Sequence, residues 1–207
     1  MTFAKFDIEK FPDARLDEQV GDPRDTVANY GVYVHCEVGG FKASSHYARL
    51  KAGEDGSINI GMGERIFIGC RYNFPVDFYD NQQGSCKILL AGSPDEVGTR
   101  RTGLWIDKAH FPRLAYEDGS LYSPVWYGTQ RLPVGNHTLF VEMVLSDYKG
   151  ALTRLYVDGK VWGESKEKNV LVSTPYSRLI WGIGGASDQT TKRLGYDISE
   201  CSYWRMD

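Results

Sequence analysis

Strict alternation between residues 66 and 74 constrains this chain more than any other feature. Ile66, Ile68, Cys70, Tyr72 and Phe74 fall on one face, and Phe67, Gly69, Arg71 and Asn73 on the other. Apolar residues at a period of two mark a half-buried strand. Across a polar loop, Lys87 to Leu90 reads as a second strand, with Ile88 and Leu90 on one face and Lys87 and Leu89 on the other. One face of this pair feeds a core. The other carries Arg71, Asn73 and Lys87, and a polar face on interior strands needs a reason, of which a ligand-binding groove is one.

The same pattern recurs along the chain. Residues 30–37 alternate as a strand closed by Gly39 and Gly40, and residues 41–51 form a second short β segment. In residues 102–107, Leu104 and Ile106 oppose Gly103, Trp105 and Asp107. Residues 111–116 follow, and Glu117-Asp118-Gly119 reads as a turn. Residues 121–127 are aromatic and read as a loop. The clearest pair is 138–146 with 153–161, and Asp158-Gly159 makes a tight hairpin turn. Residues 176–183 and 194–203 complete the strands. No amphipathic helix longer than one turn is evident. Many short strands with regular turn signals predict an all-β fold, a sandwich of two antiparallel sheets.

The 207 residues, 42% of them hydrophobic, suit one domain of this kind. Residues 1–29 are polar, with Pro12, Pro23 and Gly21, and read as an extended N-terminal arm preceding a domain over 30–207. Such an arm offers a contact to protein neighbours. A net charge of -3 argues against a nucleic-acid partner, which needs a basic field. No run of about 18 apolar residues is present, so no membrane insertion by a helix is expected. The start, MTFAKFDIEKF, is charged and lacks an apolar segment, so no signal peptide is read and synthesis in the cytoplasm is expected. Cys36, Cys70, Cys86 and Cys201 lack metal-ligand spacing and read as buried thiols, with a Cys70–Cys86 disulfide open if their strands pair.

The candidate ligand-binding residues are those of the polar faces: Arg71, Asn73, Lys87, Trp105, Asp107 and Glu142. Guanidinium and ammonium groups pair with sugar carboxylates or sulfates, and a Trp ring stacks on a pyranose. Asp107 and Glu142 are also the two acids that a glycoside hydrolase would need on one groove. His35, His46, His110 and His137 show no paired metal spacing. No cofactor is expected. Asp188 and Asp197, near a Gly-rich loop, are the candidates for calcium, which takes oxygen ligands.

Phe74, Asp77, Phe78, Gly84, Lys87 and Leu89 resemble the "Phe-x-x-Asp-Phe, polar loop, Gly-Gly-Lys-Leu-Pro-Gly-Leu" segment of jelly-roll polysaccharide lyases, the group of alginate and glucuronan lyases. Ser85 stands for the second Gly, and Leu90 and Ala91 for the Pro-Gly. Toward the C-terminus, Leu155–Gly159, Trp181–Gly185 and Tyr196-Asp197-Ile198 are similar to the closing strands of concanavalin A-like jelly rolls. The resemblance covers roughly residues 58–204 and implies a concanavalin A-like jelly-roll sandwich.

For activity, the resemblance implies a β-elimination set: a Lys, an Arg on a Ser-x-Arg strand ahead of Met-Trp, and a Tyr-x-Tyr pair. Lys87 matches the Lys, and Leu104-Trp105 resembles the Met-Trp. Thr102 stands where the Arg belongs, with Arg100 and Arg101 out of phase. Tyr116 stands for one Tyr, while Leu114 or Asp118 fills its partner position. If the chain is a lyase, Lys87 and Arg101 neutralise the uronate carboxylate, and Tyr116 or His110 serves as base and acid. The incomplete set favours a non-enzymatic module that recognises a polysaccharide or surface glycan, carried on a larger assembly such as a phage virion as a decoration, fibre or adhesin protein. A lyase acting on an acidic polysaccharide is the alternative, and a purely structural assembly module is the third.

Overall fold

The structure is a computed structural model that describes residues 3–7, 15–18, 27–28, 31–36, 47–52, 58–93, 100–118, 121–146, 150–167, 169, 175–184 and 194–206. Fifteen strands and one short helix lie among them: β1 (Phe3–Asp7), β2 (Arg15–Glu18), β3 (Val27–Ala28), β4 (Gly31–Cys36), β5 (Tyr47–Ala52), β6 (Arg65–Phe74), α1 (Phe78–Asn81), β7 (Cys86–Gly92), β8 (Arg101–Ile106), β9 (Pro112–Asp118), β10 (Leu121–Tyr127), β11 (Gly135–Val144), β12 (Leu152–Val157), β13 (Lys160–Ser165), β14 (Arg178–Gly184) and β15 (Leu194–Met206).

Every pairing among the described residues is antiparallel. One sheet, here sheet I, has the order β15-β6-β11-β12-β13, and the other, sheet II, the order β10-β9-β8-β7-β14. They join along one edge through β4 and β5, which meet at only two residue pairs. The result is the expected all-β jelly-roll sandwich.

Alternation dictates what lies between the layers. Ile66, Ile68, Cys70, Tyr72 and Phe74 of β6 are buried with Leu139, Val141 and Met143 of β11 and with Leu155 and Val157 of β12. Leu104 and Ile106 of β8, Leu114 of β9, and Leu179 and Trp181 of β14 face them from sheet II. Each such side chain contributes on the order of 1.5–3 kcal/mol through burial. The Trp181 indole N–H donates to the Gly69 carbonyl at 2.8 Å, tying β14 of one layer to β6 of the other. Phe74 stacks on Phe78 at 4.0 Å, so the single turn of α1 plugs one end of the core.

Several expectations are revised. The strands around residues 66–74 and 86–92 are not a pair: β6 bonds to β15 and β11, whereas β7 bonds to β14 and β8 in the opposite sheet. The chain crosses between layers through α1. Cys70 and Cys86 accordingly sit on strands that do not pair, and they are buried as thiols together with Cys201. Residues 121–127, read as a loop, form β10. Pro124 is tolerated there because β10 is an edge strand with a register shift between Pro124 and Trp126. Three stretches of the expected N-terminal arm have partners within the fold: β1 pairs β15, β2 pairs β5 and β3 pairs β4.

The hairpin between β12 and β13 turns at Asp158 and Gly159, with φ of 49° and 73°. Two consecutive left-handed residues are what a two-residue hairpin matching strand twist requires. The Asp158 carboxylate accepts from the Thr138 amide at 2.9 Å and lies 2.7 Å from His137 Nδ1. These contacts, the amide hydrogen bond first, hold its carboxyl below the usual carboxylate range. A depressed folded-state value means the stabilisation is present above the unfolded value of about 3.9 and is lost as pH falls through the folded one. Asp158→Asn keeps a side chain that tolerates this backbone. The variant is expected to lose about 0.5 kcal/mol at neutral pH, a small figure because the site is half exposed. Its denaturant midpoint should fall less steeply than wild type below pH 4. Parallel acid limbs in the two proteins would remove Asp158 from the acid response.

Candidate functional site on the outer face of sheet II

The outer face of sheet II collects charged and aromatic groups over four adjacent strands. Arg101 of β8 lies directly opposite Glu117 of β9, and Arg101 Nε is 2.7 Å from Glu117 Oε2. Lys87 of β7 reaches the same oxygen at 2.9 Å. The three side chains are 14%, 15% and 19% exposed for Lys87, Arg101 and Glu117, so this cluster is set into the surface.

A bulge aims Lys87. The β7–β8 register shifts between Lys87 and Leu89. An extra residue at that point reverses the faces that follow. Cys86, Ile88 and Leu89 therefore all join the inner core, and Leu90 turns outward with Lys87. The simple alternation expected for this strand, with Ile88 and Leu90 together, fails for that reason.

Beneath the ions lies a small apolar floor of Leu90, Trp105, Ala115 and Ile180. Trp105, expected to stack on a sugar, is only 3% exposed, and the Tyr122 ring stands edge-on to it at 5.8 Å. Among the described residues, the exposed aromatic rings are Tyr122 and Tyr127 of β10. Arg113 lies over the Tyr127 ring at 4.8 Å and gives its Nε proton to Asp107 at 2.8 Å. Asp107 also accepts from the Phe111 amide at 2.8 Å, so this carboxylate closes the β8–β9 hairpin. Burial pushes the Tyr122 phenol up to about 12.

The other half of the expected ligand set lies elsewhere. Arg71, Asn73 and Glu142 are on the outer face of sheet I, on the far side of the core from Lys87, Trp105 and Asp107. The six residues therefore do not form one groove. Arg71 is 3.4 Å from Glu200, and Asn73 donates to Asp197 at 3.4 Å. Burial raises the Asp197 carboxyl above the ordinary range. Glu142 has no exposed surface. It is held by Arg65, by Arg154 Nη1 at 3.0 Å and by the Tyr156 hydroxyl at 2.7 Å, and Arg154 continues to Glu164 at 2.6 Å. With Asp107 and Glu142 on opposite faces, the two-carboxylate arrangement of a glycosidase is not assembled from them.

The proposed elimination set is also divided. Lys87 and Arg101 come together. Tyr116 does not join them: it is buried opposite Thr102, whose hydroxyl donates to the Asn169 carbonyl between the layers at 2.6 Å. A one-residue step along a strand reverses the face, so Glu117 occupies the outer side and Tyr116 the inner one. His110 lies in the loop beyond β8, with Nε2 3.2 Å from the Gln82 carbonyl and its ring 5.4 Å from Tyr79. Along β8 that end is about 17 Å from Arg101, at 3.4 Å per residue. On β9 the outward residues are Arg113, Ala115 and Glu117, with no Tyr among them.

Reasoning from sequence alone missed Glu117, Arg113, Tyr122 and Tyr127. In the sequence Glu117 reads as part of a turn and residues 121–127 as a loop. Extending the alternation of 112–116 by one residue, with Arg113 and Ala115 on one side, would have put Glu117 on the outer face. Asp188 lies outside the described residues. No group of three or more His, Cys, Asp or Glu among the described residues is arranged to hold a metal ion. No helix among them is long and apolar enough to cross a membrane.

The fold defines a class: a concanavalin A-like jelly-roll sandwich, resembling in architecture the alginate and glucuronan lyase group. Among solved structures, the chain is similar to an endo-β-1,4-glucuronan lyase from the fungus Trichoderma reesei, with a TM-score of 0.64 and 12% identity over 98% of this chain and 94% of that one. It is similar to an alginate lyase from Chlorella virus, with a TM-score of 0.60 and 10% identity over 94% and 89%. It is also similar to the receptor-binding domain of a botulinum neurotoxin C/D mosaic serotype, with a TM-score of 0.58 and 11% identity over 94% of this chain and 44% of that one. No family model matches the chain, and no curated protein matches it in sequence.

Proposed function

We propose that this protein is a glycan-binding β-sandwich and that the outer face of β7 to β10 is its binding surface. The observation that carries this reading is the meeting of Lys87 and Arg101 on the same sheet face as the exposed rings of Tyr122 and Tyr127. Cations direct hydrogen bonds to sugar oxygens and acidic substituents, and tyrosine rings offer apolar faces to pyranoses with little conformational cost. The solved structures of similar fold include two enzymes named for polysaccharides, which supports a saccharide ligand by analogy of fold. A place for such a module on a virion or another extracellular assembly rests on analogy alone.

Polysaccharide elimination is the second reading, favoured by the convergence of Lys87 and Arg101. Against it stands the outward row Arg113, Ala115 and Glu117, which offers no tyrosine where the resemblance calls for a pair. Burial makes the phenolate of Tyr122, the phenol opposite Glu117 on this face, harder to form than that of an exposed tyrosine.

Retention in gels that contain a panel of neutral and acidic polysaccharides tests binding, and absorbance near 235 nm tests elimination. Wild-type protein is expected to be retarded by at least one glycan, with no rise in absorbance. Tyr127→Ala, which alters an exposed side chain, is expected to weaken retention about tenfold, equivalent to about 1.4 kcal/mol. A rise at 235 nm that disappears in Lys87→Ala would replace the binding module by a lyase. Folded protein that no glycan retards would overturn both readings.

A further inference from the structure

Lys87 and Arg101 already hold a carboxylate, and it belongs to the chain itself. An Arg101–Glu117 pair is an ordinary cross-strand contact, because the two residues are in direct register. Lys87 is different. It comes from the strand beyond β8, and a bulge in β7 places it on this face. The geometry brings two cations of different strands onto one oxygen, Glu117 Oε2, in a recess less than one-fifth exposed.

We propose that Glu117 is an internal stand-in for an anionic group on the glycan. It keeps Lys87 and Arg101 together until a sugar carboxylate or sulfate takes its place. The inference rests on the glycan-binding reading and adds to it a residue that sets specificity. Replacing one carboxylate by another leaves the desolvation of both cations nearly unchanged, and that term opposes most buried ion pairs. Glu117 regains water as it leaves. A neutral sugar has no group that can substitute for Glu117 and leaves it in place, so Glu117 competes only with anionic glycans and admits those whose own anion can replace it on both cations.

The test uses the full chain in gels that contain polygalacturonate, dextran sulfate or neutral dextran. The two charged polymers separate carboxylate from sulfate as the accepted group. Glu117→Gln keeps the shape and removes the charge. It is expected to bind at least one charged polymer about fivefold to tenfold more tightly than wild type, with unchanged response to dextran and a steeper loss of affinity with added salt. The double variant Lys87→Ala with Glu117→Gln is expected to return to wild-type affinity or below. Thermal unfolding reports whether each variant is folded. If Glu117→Gln does not fold, Glu117→Asp, which draws the carboxylate back by one methylene, is expected to give the same gain in smaller measure. Wild-type binding that is unchanged or weakened in these variants would overturn the stand-in and leave the glycan reading intact, with Glu117 a brace for the two cations. Loss of binding in every protein, wild type included, would overturn the glycan reading instead.

Discussion

Replacing Asn169 with Ala is expected to cost about 4 kcal/mol of folding stability, among the larger losses for a single polar side chain. Asn169 is fully buried where β11 and β12 diverge. Its side-chain amide donates to the Val144 carbonyl at 2.9 Å, the Leu152 carbonyl at 3.0 Å and the Thr153 hydroxyl at 3.0 Å. Its side-chain oxygen accepts from the Ser146 amide at 2.9 Å. Its own carbonyl accepts the Thr102 hydroxyl at 2.6 Å, which links this end of sheet I to β8 of sheet II. Truncation therefore removes partners from two backbone carbonyls and one amide away from solvent, each costing about 1–3 kcal/mol when unmet. Asn169→Asp is nearly isosteric and is expected to lose at least as much at neutral pH, because it sets a carboxylate oxygen against two carbonyl oxygens. Urea unfolding measures both. A loss below about 1 kcal/mol in either variant would show that the network is not what holds this corner.

Gly103→Ala is expected to cost roughly 3 kcal/mol and to remove the proposed glycan binding with it. Gly103 sits on β8 across from the bulge that aims Lys87. A Cβ at this position would stand 1.9 Å from the Leu89 carbonyl oxygen and 2.9 Å from its carbon. These are backbone atoms of the neighbouring strand and no rotamer change relieves them. Either β7 moves away from β8 or the bulge is lost, and a lost bulge reverses the face of Lys87 relative to Leu89–Gly92. Lys87 would then leave Glu117. The prediction couples two readouts, the unfolding midpoint and polysaccharide retention. A variant with wild-type stability and wild-type retention would refute the close approach. A destabilised variant that still binds would refute its link to Lys87.

How much of this was open to reading along the chain differs from element to element. β6 and β11 alternate without interruption, and their inner residues are the core. The Asp158-Gly159 hairpin carries its turn chemistry in two adjacent residues. β10 was not legible, because Pro124 and a run of aromatics imitate a loop when the edge position that accommodates them is unknown. Face assignment in β7 failed at the bulge, since nothing local distinguishes Ile88 as the extra residue. The cause lies on β8, where Gly103 admits the close backbone. Asn169 shows no pattern at all, as its partners are 16 to 67 residues away.

Periodicity, a local property, determined that this chain forms many antiparallel strands with one apolar face each, and hence a two-layer sandwich. The choice of partner strands belonged to the tertiary structure. β6 and β7 are consecutive, yet their inner faces satisfy each other across the core and not along an edge, which sends Arg71 and Lys87 to opposite sides of the molecule. The same decision separated Glu142 from Asp107 and Tyr116 from Arg101. It set Glu117, which resembles a turn residue in sequence, between two cations. A side chain's face follows from spacing, but the neighbours it meets there depend on strand order and register. Those are settled by packing over the whole core, where no single segment carries the information.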